Sequence, residues 1–191
     1  MFRENWFSTP VWVDQVSLDY NHIAKKCVEL KESGYPHRIY TNRGGWQSEN
    51  IQLSGHKFLS PIEKIINAKI AQIISDIGDE TLNLNISNFW ININERGDYN
   101  EKHVHSLSSF SGVLYIQVDS DTGEIRFFDD LYIMKHYPIN INPQNKLFHH
   151  TVEYKPINGL ILIFPSWLSH DVKPSRSDNT RISMSFNLVQ V

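Results

Sequence analysis

The sequence predicts a mainly β fold, an antiparallel barrel or jelly roll with a helical layer laid against it. Two observations carry this. Near residue 83 the apolar period changes to two, and at least five short apolar runs follow, separated by turn signals with no helical pattern between them. Before that point lie two amphipathic helices, whose apolar faces need a sheet to cover. At 191 residues the chain is expected to be a single domain, 1–191, with 1–82 as the helical and strand support layer and 83–191 as the β core.

The elements follow in order. "SLDYNHIAKKCVELKESG" places Ile23, Cys27 and Leu30 on one stripe and stops at Gly34. "SPIEKIINAKIAQIISDIG" is the stronger helix. Ser60 reads as its N-cap, Pro61 as its first residue and Glu63 as the far half of a capping box. Ile62, Ile65, Ile66, Ile70, Ile73, Ile74 and Ile77 make a wide apolar face that Gly78 ends. The strands are then read from "LNISNFWININ", "FSGVLYIQV", "GEIRFF", "GLILIF" and "RISMSFNLV". "LYIMKHYPININPQNK" reads as a long surface excursion of the kind that often covers a site.

Composition narrows the function classes. A formal net charge of −3 leaves no electrostatic footprint for nucleic acid or an anionic membrane. Hydrophobic residues at 40% and aromatics at 12% suit a folded globule. The single cysteine, Cys27, excludes an internal disulfide framework and a cysteine-rich zinc site. Arg3, Glu4 and Asn5 fall where a signal peptide needs an apolar core, and no segment is long enough to span a bilayer. A soluble cytoplasmic protein is therefore expected. No G-x-S-x-G motif points to a nucleophilic serine.

The chemistry-bearing pattern is histidine. His103 and His105, in "HVHSLSSFSGVLYI", are two apart, and in a strand such residues point to one face. His170, in "FPSWLSHDVKP", follows the run "GLILIF" and is placed to return as a remote third ligand. Two close ligands and one distant one on a β scaffold make an open metal site, with positions left for small molecules. Taken alone, His-x-His is more often ordinary than metal-binding, since among nine histidines two of them two apart are not rare. His149 and His150 are adjacent, so a strand would turn them to opposite faces; His22, His37, His56 and His136 have no partner pattern. Arg181 lies in the apolar run "TRISMSF". A buried arginine wants an anion, and its fork holds a carboxylate bidentately. The other possibility is a strand arginine facing water while Ile182 faces the core.

These segments together resemble a known family, the iron(II)- and 2-oxoglutarate-dependent oxygenases of double-stranded β-helix fold. Within it they resemble the prolyl-hydroxylase-like branch and a group of small oxygenases from bacteria and phages. The resemblance runs from about Asn88 to the C-terminus, and "GGWQS" from Gly44 is similar to the small group. In "NERGDYNEKHVHS", Gly97 precedes His103 by six residues. "SGVLYI" resembles the strand whose tyrosine, here Tyr115, contacts 2-oxoglutarate, and "TGEIRFF" a Gly-Gly-x-Leu strand. "GLILIFPSWLSHDVKP" resembles the segment carrying the distal metal histidine, here His170. "RISMSFN" resembles the strand whose basic residue grips the far carboxylate of the co-substrate, here Arg181, eleven residues after His170, with Ser183 on the same face.

The resemblance implies iron(II) held by His103, His105 and His170, and 2-oxoglutarate held by Arg181 with help from Ser183 and Tyr115. It further implies oxygen as the second co-substrate and a hydroxylated small-molecule, amino-acid or peptidyl product, with release of succinate and CO2. Trp90, Asn92 and Trp167 are candidates for shaping the pocket. One departure stands: the family's usual motif is His-x-Asp, and the Asp position is His105. Either His105 replaces the carboxylate, or it supports a site completed by Asp171 or Glu101, or the site has lost its redox chemistry. His-x-His is a feature of the small group, which favours the first. The rival functions are a cupin-like metal-binding module without turnover and a three-histidine dioxygenase that does not use 2-oxoglutarate. The aromatic N-terminus "ENWFSTPVWV", with Trp6, Phe7 and Trp12, is expected to pack on the domain or on a second copy in a homodimer.

Overall fold

The structure, a computed structural model, describes residues 2, 8–79, 81–130 and 149–191. The long excursion over 131–146, His136 within it, and Trp6 and Phe7 lie outside the described residues. Two antiparallel sheets face each other. The larger contains β1 (Trp12–Gln15), β3 (Trp46–Gln47), β4 (Leu84–Asn94), β6 (Phe110–Gln117), β9 (Leu160–Pro165) and β11 (Arg181–Gln190), in the order β1-β9-β6-β11-β4-β3. The smaller contains β2 (Asn42–Arg43), β5 (Tyr99–His103), β7 (Ile125–Phe128), β8 (Thr151–Tyr154) and β10 (His170–Val172), in the order β2-β5-β10-β7-β8. From β4 onward the chain crosses between the sheets at nearly every connection, which is the winding of a jelly roll.

The period of two sorts the larger sheet's side chains into two layers. Phe89, Ile91, Ile93, Leu114, Ile116, Ile161, Ile163, Ile182, Met184 and Phe186 point outward, where two helices cover them. Val113, Tyr115, Leu160, Leu162 and Phe164 point inward and meet Ile125 and Phe127 of the smaller sheet. The outer layer is close-packed: a side chain on Gly112 would lie 2.3 Å from the Phe186 ring, so only glycine fits there.

The helices are α1 (Tyr20–Glu32) and α2 (Ser60–Ile77). On α1, Asp19 accepts the His22 N–H at 3.1 Å as an N-cap, and Ile23, Ala24 and Cys27 are buried. On α2, Ile62, Ile66, Ile70 and Ile73 are buried, each contributing about 1.5–3 kcal/mol, and Gly78 ends the helix at φ +76°. Ile77, read as part of that face, is 44% exposed in the last turn. The N-terminal cap also differs from the sequence expectation. A 3-10 turn over Lys57–Leu59 runs straight into α2, so Ser60 already has helical dihedrals and no side-chain cap bond forms with it or with Glu63. The incoming turn supplies what a capping box would have supplied.

Cys27 packs at the interface of helix and sheet with no exposed surface, and burial pushes its thiol up to about 12. The thiolate is the reactive form. The native protein at pH 8 is therefore expected to react negligibly with a disulfide reagent such as DTNB, and to release a full equivalent only on unfolding. Prompt stoichiometric labelling of native protein would contradict this packing.

Candidate metal and anion site

The inward face of β4 and β11 forms the floor of a cavity of about 720 Å³, and its contents follow from register. Arg181 opens β11 opposite Asn94. Ser183 lies opposite Asn92 and Tyr115, Ser185 opposite Trp90 and Val113, and Asn187 opposite Asn88 and Ser111. Alternation thus gives β11 an inward series of Arg181, Ser183, Ser185 and Asn187 and an outward series of Ile182, Met184, Phe186 and Leu188.

Three histidines close over this floor. His103 ends β5 and His170 begins β10, and the two are directly paired in register. His105 does not lie on a strand, contrary to the reading of His-x-His as one strand face. The strand precedes the motif and ends at His103, and β6 starts only at Phe110. His105 is instead fixed by its backbone, whose N–H donates to the Ser166 carbonyl at 2.9 Å and ties the β5–β6 loop to the β9–β10 turn. One ligand nitrogen from each of His103, His105 and His170 lies within 4.8 Å of the others.

Their protonation suits a cation. His103 Nδ1 faces the Glu101 carbonyl at 2.7 Å and His170 Nδ1 the Leu168 carbonyl at 2.8 Å. Each Nδ1 therefore carries the proton and donates it, and each Nε2 keeps its lone pair. His105 Nε2 faces His170 Nε2 at 3.3 Å, a separation that needs a proton or a cation between the two nitrogens. Burial lowers all three imidazoles, His105 to about 4 and His170 to about 3, with the neighbouring His103 adding to both. All three are neutral at pH 7 and can take a metal without first losing a proton. The carboxylates weighed as alternatives are engaged elsewhere: Asp171 accepts from Arg126 Nε at 3.0 Å, and Glu101 pairs with Arg43.

The anion end is Arg181, 2% exposed. Its Nη1 donates to the Thr122 carbonyl at 2.9 Å and its Nη2 to Asn94 Oδ1 at 3.0 Å, but its Nε has no partner. Among the described residues no carboxylate binds it. Burial lowers its pKa, opposed by Tyr115 and by Asp98. Tyr115 is 2% exposed, and burial pushes its phenol up to about 12. A buried guanidinium with one donor idle fits a ligand carboxylate. The water-facing alternative for Arg181 is thereby corrected: both Arg181 and Ile182 are buried, on opposite faces of one doubly covered strand.

His103, His105, His170, Tyr115, Arg181 and Ser183 all line this one cavity, as do Trp90 and Asn92. Trp167 does not; it is 64% exposed. His149 and His150 are exposed residues ahead of β8. Asn94 and Thr122 were missed in the sequence. The signal for Asn94 was its place in the inward series Asn88, Trp90, Asn92, Asn94. The "GGWQS" stretch finds its reason here as well. Gly44 and Gly45 turn from β2 to β3 at φ +70° and +68°, and a side chain on Gly45 would lie 2.5 Å from Asn94 Nδ2. The glycines let the turn press against the amide that holds Arg181.

The comparisons bear on the fold and the family. Among curated proteins none matches the chain. A prolyl-4-hydroxylase from Pseudomonas putida matches its structure with a TM-score of 0.69 at 15% identity, over 96% of this chain and 94% of that one. A Trichoplax adhaerens prolyl hydroxylase in complex with a hypoxia inducible factor peptide fragment gives 0.63 at 15% identity, over 94% and 83%. HygX from Streptomyces hygroscopicus, with nickel, 2-oxoglutarate and hygromycin B bound, gives 0.59 at 10% identity, over 95% and 83%. At these identities the likeness establishes the fold, a jelly roll of the double-stranded β-helix kind. The family rests on the sequence itself: residues 88–187, just over half of the chain and the stretch that carries the three histidines and Arg181, match the family model, and the protein belongs to the 2OG-Fe(II) oxygenases.

Proposed function

We propose that this protein is a 2-oxoglutarate-dependent hydroxylase in which His103, His105 and His170 hold iron(II) and Arg181 holds the far carboxylate of the co-substrate. The single observation that carries the reading is the buried Arg181 with its idle Nε, in the same cavity as three neutral imidazoles. A store for metal alone has no use for a carboxylate clamp. The iron supplies oxygen activation when bound, one oxygen atom passing to succinate and the other to the substrate as hydroxyl, with CO2 released. The protein's share is geometric. His103 and His170 are fixed by their backbone acceptors, and His105 by the Ser166 carbonyl. Ser183 and Tyr115, one row along the floor from Arg181, supply hydroxyls to the same carboxylate. His105 takes the place of the customary carboxylate ligand, because Asp171 and Glu101 are already paired.

The substrate is a small molecule, an amino acid or a peptide. Support comes from the cavity's volume, within the range of roughly 300–1,000 Å³ usual for small-molecule sites. It also comes from the structural relatives, one holding a peptide and another hygromycin B. Among the described residues no helix is long and apolar enough to cross a membrane. The reading is tested without the substrate. Iron(II) and 2-oxoglutarate added to the apoprotein without oxygen should give the weak visible charge-transfer band of a chelated keto acid. Metal binding without the band would return the protein to the co-substrate-free dioxygenase or the binding module.

Asn94 is a positioning residue in this scheme. Asn94→Ala removes one of the two acceptors that fix Arg181, a loss of about 1–2 kcal/mol, and should raise the 2-oxoglutarate concentration at half-maximal band about 5–30-fold. A change in band amplitude at saturation, with the midpoint unmoved, would mean that Asn94 matters only for folding.

A further inference from the structure

We propose that the part of the cavity beyond the co-substrate binds a neutral, hydroxyl-rich ring, a sugar or glycoside, as the molecule to be hydroxylated. This rests on the oxygenase reading and adds the substrate class to it. The observation is the chemical make-up of the wall. Past Arg181 and Ser183, the floor presents Asn92, Trp90 and Asn88 from β4 and Ser185 and Asn187 from β11, with Gln47 at the β3 edge. These are carboxamides and hydroxyls around one large aromatic ring.

Charge is what the wall lacks. Apart from the three histidines, the charged residues among the described lining are Arg38, Glu49 and Arg181. Arg38 Nε donates to Glu49 Oε1 at 3.0 Å, so that pair satisfies itself, and Arg181 is taken by the co-substrate. A charged substrate would be stripped of water without a counter-charge to replace it. An apolar substrate would strip water from these four carboxamides and return no hydrogen bond. A neutral molecule with several hydroxyls avoids both costs.

The wall is also held in place. Asn92 Nδ2 donates to Ser185 Oγ at 3.1 Å; Ser111 Oγ donates to Asn187 Oδ1 at 2.9 Å and lies 2.8 Å from Ser166 Oγ. Asn92 and Asn187 therefore present fixed donors and acceptors, which spares a ligand the cost of ordering them. Trp90 is half-buried, with its ring centroid 5.8 Å from that of His105. A ring stacked on this indole would bring its C–H bonds beside the metal ligands, where the hydroxylated carbon has to be. A prolyl side chain would instead want an apolar slot; Val113, Ile125, Phe164 and Val172 also line the cavity but pack on one another between the sheets, and the floor beyond Ser183 offers amides.

The test separates the two levels. Under anaerobic conditions the protein is loaded with iron(II) and 2-oxoglutarate, the keto-acid band is recorded, and the loaded protein is titrated calorimetrically. The probes are methyl glucoside, methyl galactoside, maltose and sucrose on one side, and lysine, glutamate and a proline-containing tetrapeptide on the other. Binding of at least one glycoside is expected, about tenfold or more weaker in Asn88→Leu and Trp90→Ala per molecule carrying the band, and largely restored in Asn88→Gln. In air the same glycoside should stimulate succinate release. With the band present, binding confined to the amino acids or the peptide, or no glycoside binding at all, overturns the substrate class and leaves the oxygenase reading standing. Glycoside binding unchanged in both Asn88→Leu and Trp90→Ala overturns the location. Absence of the band defeats the oxygenase reading and this inference with it.

Discussion

Replacing Arg181 with alanine is expected to weaken 2-oxoglutarate binding at least about thirtyfold, the lower end of the loss of about 2–5 kcal/mol that follows truncation of one partner in a buried, hydrogen-bonded charge pair. Arg181 is almost wholly buried and holds two neutral acceptors, the Thr122 carbonyl and Asn94, but, among the described residues, no carboxylate. In the proposed site the co-substrate's carboxylate would supply its direct counter-charge, so the interaction would be concentrated in the bound state. Arg181→Lys keeps the charge and loses the fork; an ammonium cannot hold both acceptors and a bidentate carboxylate, and its affinity should fall between the two. The anaerobic band, titrated with 2-oxoglutarate, gives the midpoints. Thermal unfolding gives an independent reading. A ligand at 100 times its Kd stabilises the native state by about 2.7 kcal/mol, so 2-oxoglutarate should raise the Tm of the metal-loaded wild type and raise that of Arg181→Ala by no more than about a third as much at the same concentration. Equal midpoints for the two proteins would remove Arg181 from the carboxylate end of the co-substrate site.

What was legible in the sequence, and what was not, divides along a physical line. The apolar strands were readable because both of their faces are covered. β9 is "LILIFP" and β11 carries Ile182, Met184, Phe186 and Leu188 toward the helices, so burial leaves a mark at every second position or more. β5 was invisible for the opposite reason. "YNEKH" has no residue fully buried and no alternation, since it sits in the smaller sheet beside the cavity and is defined by its ladder to β10. The two-residue strands β2 and β3 are too short to carry any period. The same division runs through the site. His103, His105, His170 and Arg181 stand out because such side chains are chemically loud among apolar neighbours. Asn94 and Asn187 are quiet residues whose roles come from register: Asn94 lies opposite Arg181, and Asn187 opposite Asn88 and Ser111. Register is a property of the paired strands and of a bulge between Asn187 and Leu188, which no single strand's sequence reveals. The error over His105 has the same origin. A spacing of two implies a shared face only inside a strand, and here the strand stops at His103.

His105 is where metal chemistry and sequence pull apart, and its variants should show the largest effect on metal retention. With three imidazoles the metal keeps its full charge of +2, whereas the customary carboxylate would leave +1, and the more positive centre draws an anionic keto acid more strongly. In the proposed site His105→Ala would remove one of three protein ligands and should weaken iron(II) binding by more than about 100-fold, the upper end of what loss of a merely supporting neighbour costs. His105→Asp restores the two-histidine, one-carboxylate set. Its carboxylate is shorter than the imidazole but begins from the same backbone anchor at Ser166. It should keep metal far better than the alanine variant while needing more 2-oxoglutarate than the wild type, because one positive charge at the centre is cancelled. His22→Ala, on the exposed face of α1, is the control and should bind iron(II) as the wild type does. Metal content by equilibrium dialysis and the 2-oxoglutarate midpoint of the keto-acid band measure the two quantities separately. A drop of only about 10–100-fold in His105→Ala, with His105→Asp no better, would mean that His105 supports the site without touching the metal. The third ligand would then have to be a carboxylate released from its present partner, and Asp171, next to His170 and held by Arg126, would be the residue to change next.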